Sequence, residues 1–164
     1  MTRQVLLLSG PNLDRLGTRS PEIYGTATLA EHVARASAVA AGHDLEVRHL
    51  QSNFEGDLIE AVRDAGDCAA VVINAGALTH TSWALADALA AFEGVVVEVH
   101  LSNPAAREPF RHLSTLASVA DGSIAGFGGL GYELALEAVA RLLDDQPTPP
   151  VDQSTVIARP PGDR

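Results

Sequence analysis

Short, almost uninterrupted apolar runs alternate with segments of helical periodicity along this chain, and that alternation constrains its fold more than any other feature. Runs at Val5–Leu8, Leu45–Leu50, Ala69–Ile73, Val95–Val99 and about Ser123–Phe127 have the length and content of strands buried on both faces. Helical patterns lie between and after them, at about Leu29–Ala41, Asp57–Ala65, Ser82–Ala91 and Glu133–Leu143. Strand, helix and parallel strand in succession build right-handed βαβ units, whose helices cover both faces of the sheet. The expected class is therefore α/β: a flavodoxin-like three-layer sandwich around a five-stranded parallel sheet, with ligands beyond the carboxyl ends of the strands.

Two connections break the regularity. After Val99 the chain runs through "PAAREPFRHLS", where Pro104 and Pro109 allow only a short or broken helix. After Val5–Leu8 comes "GPNLDRLGTRSPEIYG", Gly10 to Gly25, far longer than an ordinary strand-to-helix loop and hence expected to be functional. The 164 residues fit one compact domain over 1–145. Residues 146–164 hold five of the nine prolines and are expected to form a mobile tail.

Composition excludes several kinds of chemistry. With a formal charge of −10 the chain lacks the residues for a basic face, which argues against a nucleic acid partner. All eleven basic residues are arginine, so neither a Schiff-base lysine nor a G-K-[ST] phosphate loop is available. No apolar run is long enough to span a membrane, and Met1–Gln4 leads straight into the first strand, leaving no room for a secretory signal. The lone Cys68 cannot form an internal disulfide, and a cytoplasmic location is expected.

The polar residues gather at the carboxyl ends of the strands. Glu98 and His100 are two apart, so a strand points both side chains to one face. A carboxylate beside an imidazole fixes its tautomer and suits it to general acid work; a purely structural pair fits the spacing equally well. A zinc site of His80, His100 and Glu98 lacks the usual ligand spacing, and no metal is expected. Asn74, Gly76, Thr79 and His80 follow the third strand and offer neutral hydrogen bonds, or simply a turn capped by Thr81 or Ser82. Backbone donors at Leu101 and Ser102, with the guanidinium of Arg111, suit a hydroxylated anion. "GFGGLG", Gly126–Gly131, matches a dinucleotide fingerprint, yet no βα unit follows to supply a ribose-binding acid; these glycines read as turn and close-packing positions. In the long first loop, Arg19 lies five residues before Tyr24, and a guanidinium there favours the phenolate of a tyrosine acting as base. The loop then reads as a lid carrying a base and its activator, or else as a tyrosine packed beneath solvent-facing arginines.

"GPNLDRLGTRSPEIYG", "QSNFEGDLIE", "INAGALTHTSWALADAL", "VEVHLSN", "REPFRHLS" and "GYELAL", in this order from Leu6 to about Leu143, closely resemble the type II 3-dehydroquinate dehydratases. The resemblance implies removal of water from 3-dehydroquinate to give 3-dehydroshikimate through an enolate, with no cofactor, Schiff base or metal. By the same resemblance Tyr24 takes the C2 proton and Arg19 activates it. Asn12 holds a water near the enolate oxygen, and His100, oriented by Glu98, protonates the departing hydroxyl. Asn74, His80, Leu101, Ser102 and Arg111 match substrate-binding positions. Asp87 matches an acid that reaches a neighbouring subunit's site, and the implied assembly is a homo-dodecamer of trimers. Departures from the family pattern fall at Ser9, Asp14, Arg15, Ser20, Phe54, Leu78, Ala105 and Leu113, none of them a proton-transfer position. The alternatives are a non-catalytic binding relative of the same fold, a hydro-lyase acting on another cyclic hydroxy acid, and a flavin-binding protein, against which the 4% aromatic content counts.

Overall fold

The structure, a computed structural model, describes residues 2–18 and 21–145. The expected tail at 146–164 and Arg19 and Ser20 of the first loop lie outside the described residues. Five strands, β1 (Arg3–Ser9), β2 (Leu45–Gln51), β3 (Cys68–Asn74), β4 (Val95–His100) and β5 (Gly122–Ala125), form one sheet in the order β2-β1-β3-β4-β5. Every pairing is parallel. This is the flavodoxin-like sandwich.

Successive side chains of a strand point to opposite faces, so an unbroken apolar run feeds two cores at once. Val5 and Leu7 of β1 join Ala70, Val72, Val97 and Val99 on one face, beneath α2 (Leu29–Ala41) and α5 (Leu130–Asp145). Leu6 and Leu8 join Val71, Ile73 and Val96 on the other, beneath α3 (Glu55–Arg63) and α4 (Trp83–Ala90). Each fully buried Leu or Val side chain contributes about 1.5–3 kcal/mol relative to exposure.

Helix ends are set locally. Thr28 accepts from the Glu31 N–H at 3.2 Å, and the Glu31 carboxylate accepts from the Thr28 N–H at 2.7 Å, a capping box that starts α2. Ser82 accepts from the Leu85 N–H at 3.0 Å and starts α4.

Several boundaries differ from expectation. β5 occupies Gly122–Ala125 instead of 123–127, because Gly126 adopts φ +91° and takes the chain out of the sheet. α3 starts two residues earlier than its apolar pattern, and α5 begins at Leu130, directly after the glycine-rich loop. The long first loop carries a 3-10 turn at Leu13–Arg15 and a four-residue helix α1 (Pro21–Tyr24). The segment after β4 holds only two 3-10 turns, Pro104–Ala106 and Pro109–Arg111, each with proline at its start.

Candidate active site

The strand order reverses between β1, whose connection leads outward to β2, and β3, whose connection leads the other way to β4. Loops diverge there and leave a crevice beyond the carboxyl ends. A cleft of about 780 Å³, a figure that includes open solvent, occupies that place. The segment after β1 contributes Asn12 and Tyr24, that after β3 contributes Asn74 and His80, and that after β4 contributes His100, Leu101, Ser102, Arg107 and Arg111.

The most fully hydrogen-bonded group lies behind the cleft wall. Glu98 is only 1% exposed, yet its Oε1 accepts from Ser114 at 2.7 Å, from His100 Nε2 at 2.9 Å and from Thr79 at 3.0 Å, while Oε2 accepts from Ser123 at 3.1 Å. Burial alone pushes this carboxyl up; hydrogen bonds from His100, Ser114 and Thr79, with the His100 charge, outweigh it and hold the group below the usual carboxylate range. A buried charge with four donors is ionised and fixed. It fixes His100 in turn: Nε2 is committed to Glu98, which leaves Nδ1 for the cleft.

Tyr24 lines the same cleft from the first loop. Arg107 donates from Nη1 to the phenolic oxygen at 2.7 Å and to the Ser102 hydroxyl at 3.3 Å, and its guanidinium carbon lies 5.7 Å from the Tyr24 ring centre. A cation thus touches the candidate base. Asn12 holds φ +67°, a conformation that asparagine tolerates better than most residues, and its N–H is tied to Asn53 at 2.8 Å.

On the far wall, Asn74 donates from Nδ2 to the Tyr132 hydroxyl at 3.0 Å and accepts the Gly76 N–H at 3.2 Å, which fixes its amide orientation. Burial pushes the Tyr132 phenol up to about 12, against hydrogen bonds with Asn74 and Ser9. His80 donates from Nδ1 to the Leu113 carbonyl at 2.7 Å, which leaves Nε2 as its free nitrogen. Arg111 donates to Glu108 at 2.9 Å and stacks 4.8 Å from the Phe110 ring centre.

Of the residues singled out in the sequence, Asn12, Tyr24, Asn74, His80, His100, Leu101, Ser102 and Arg111 meet at this one cleft, with Glu98 directly behind His100. Arg19 lies outside the described residues. Asp87 is not at the cleft of its own chain; it borders a separate groove with Cys68 and Phe92, between α3 and α4. Among the described residues no group of three His, Cys, Asp or Glu side chains is placed to hold a metal ion. Sequence reasoning assigns no part to Arg107, nor to the hydroxyls of Ser114 and Ser123; Thr79, expected to offer its hydrogen bond to a ligand, is buried and donates it to Glu98 instead. Arg107 sits in a loop punctuated by prolines, where spacing does not fix direction, and its sequence signal was only a second arginine on an acidic chain's rim.

The family model "Dehydroquinase class II" matches residues 3–140. Over 143 residues the chain is 54% identical to the 3-dehydroquinate dehydratase of Corynebacterium glutamicum, covering 87% of this chain and 99% of the relative. It is 51% identical to 3-dehydroquinate dehydratase 2 of Pseudomonas putida, again over 87% of this chain and 96% of the relative. Among solved structures, the type II dehydroquinase of Propionibacterium acnes superposes with a TM-score of 0.82 at 43% identity, covering 86% of this chain and 98% of that one.

Proposed function

This chain belongs to the class II dehydroquinase family, and from that membership and the cleft we propose that it converts 3-dehydroquinate to 3-dehydroshikimate. The observation that carries the reading is the pairing, within one cleft, of a phenol against a guanidinium and an imidazole against a buried carboxylate. These are a base and an acid.

The Tyr24 phenolate removes a proton from C2, and the C2–H electron pair moves into the C2–C3 bond to make an enolate at the C3 oxygen. Collapse of the enolate forms the C1–C2 double bond and expels the C1 hydroxyl. His100 supplies the proton that makes it water, and Glu98 stabilises the imidazolium that does so. Arg107 is the guanidinium in contact with the phenol, and Arg19 joins it by family likeness. Asn12 holds a water at the enolate oxygen, which stabilises charge where it develops. The N–H groups of Leu101 and Ser102 with Asn74 take the substrate carboxylate, while His80 and Arg111 take ring hydroxyls. Nothing in the scheme calls for a Schiff base, and the chain has no lysine to form one.

Asp87 borders a groove separate from its own cleft, which suits the family role of an acid that completes a neighbouring subunit's site. The assembly is then a homo-dodecamer of trimers, to be read from light scattering after size exclusion. Among the described residues no helix is long and apolar enough to cross a membrane. The reading includes a single domain over 1–145 and a cytoplasmic enzyme, in which the buried Cys68 thiol needs no oxidising partner.

The test is an ultraviolet assay on chelator-treated protein with 3-dehydroquinate, following the conjugated enone of the product. Sustained turnover is the expected result. Binding without turnover would make the chain a catalytically silent relative, and turnover only of another cyclic hydroxy acid would reassign the substrate.

A further inference from the structure

At the end of β4 the chain departs from strand geometry in a way that the glycine-rich segment 126–131 explains. In a strand, a residue's own N–H and C=O lie on one side and those of the next residue on the other. His100 obeys this: its carbonyl accepts from the Gly126 N–H at 3.2 Å, on the β5 side. Leu101 does not. Its carbonyl, due on the β3 side, turns back to accept from the Gly128 N–H at 2.9 Å. A trans peptide holds each carbonyl antiparallel to the following N–H. The N–H groups of Leu101 and Ser102 therefore both point away from the glycine loop, toward the side where β3 ends in Asn74. Both residues line the cleft. Two successive N–H groups aimed one way form a concavity for an anion.

We propose that the loop Gly126–Gly129 is a positioning element that turns these two N–H groups toward the substrate carboxylate, a reading that rests on the reaction assigned above. Only glycine adopts φ +91° at 126 without strain, and that turn brings the loop over the end of β4. Gly129 is required for a different reason. A Cβ there would stand 2.1 Å from the ring of His32, a residue of α2 that is only 4% exposed. The ring is itself held: Arg35 donates from Nη2 to His32 Nδ1 at 3.2 Å and lies 4.0 Å from Glu133 in the first turn of α5. His32 thus forms the floor against which the loop is seated, and the loop in turn sets the orientation of the Leu101–Ser102 peptide.

The experiment compares 3-dehydroquinate with its methyl ester, which keeps the ring but lacks the carboxylate charge. Gly129→Ala forces loop and imidazole apart, so the preference for acid over ester in kcat/KM should fall about 10–100-fold, the worth of one charge-assisted hydrogen bond. General weakening of the fold would lower both substrates alike and leave their ratio unchanged. His32→Ala combined with Gly129→Ala removes the obstruction and should return the preference to within about threefold of the parent. An unchanged preference in folded Gly129→Ala overturns the proposal, as does a folded double variant whose preference stays lost. If Gly129→Ala does not fold, the double variant alone decides by the same criterion. Parent protein that turns over neither compound sinks the assigned reaction instead, which separates the two failures.

Discussion

Replacing Glu98 by glutamine tests the acid half of the mechanism with little change of shape. The amide oxygen can keep the Oε1 position, where it still accepts from Thr79, Ser114 and His100, and the new NH2 then faces Ser123, whose hydroxyl can rotate to accept. What is lost is charge. A hydrogen bond to an ionised group is worth about 1.5–3 kcal/mol and a neutral one about 0.5–1.5. The imidazolium formed as His100 works thus loses roughly 1–2 kcal/mol of support, and kcat should fall about 5–30-fold. Exchange of the C2 proton with deuterated solvent depends on Tyr24 across the cleft and should change by less than about threefold. The two rates come from enone absorbance and from deuterium incorporation into recovered substrate. A kcat within twofold of the parent, or parallel loss of both rates, would refute the division of labour. Thermal stability supplies a second signature. The folded carboxyl titrates below its unfolded value, so its contribution is fully present above about pH 4.3 and is lost as pH falls toward the folded value. On acidification below that point, the parent should lose Tm faster than Glu98→Gln, and the two curves should draw together.

Three further outcomes follow from single contacts. Arg107→Met removes the donor 2.7 Å from the Tyr24 oxygen, and kcat/KM should drop about 10–100-fold with the protein still folded; full activity would take Arg107 out of the site. Tyr132→Phe should flatten the alkaline limb of stability. The folded phenol titrates near 12 and the unfolded one near 10, so the parent loses stability as pH rises through that window, and denaturant midpoints at pH 9 and 11 should show the variant losing less. Leu136→Ala empties a fully buried position of α5 and should cost about 2–5 kcal/mol in denaturant titration without altering KM.

How much of this was legible in the sequence depends on which geometry fixes each residue. Glu98 and His100 could be placed on one face because a strand's period is two wherever it lies in the fold. The strands themselves were found by hydropathy, yet Arg3, Gln4 and Ser9 belong to β1 through pairing with β2, a relation that apolar content does not register. Arg107 was invisible as a partner of Tyr24, because two irregular loops meet only after the sheet has brought their ends together. The three hydroxyls around Glu98 come from separate places, Thr79, Ser114 and Ser123, and no local pattern announces such convergence. The glycines of 126–131 were rightly read as turn and packing positions, but what they pack against, a histidine of α2, is a tertiary fact.

The hydrogen bond between Tyr24 and Arg107 joins segments 83 positions apart that both line the cleft. Its consequence is one of timing. The conformational entropy lost in bringing the phenol to this place is paid when the chain folds, so it does not fall on the binding of each substrate molecule. Occupancy at a given substrate concentration is thereby set more by the other polar groups of the cleft, and Tyr24 influences affinity chiefly by remaining where folding has left it.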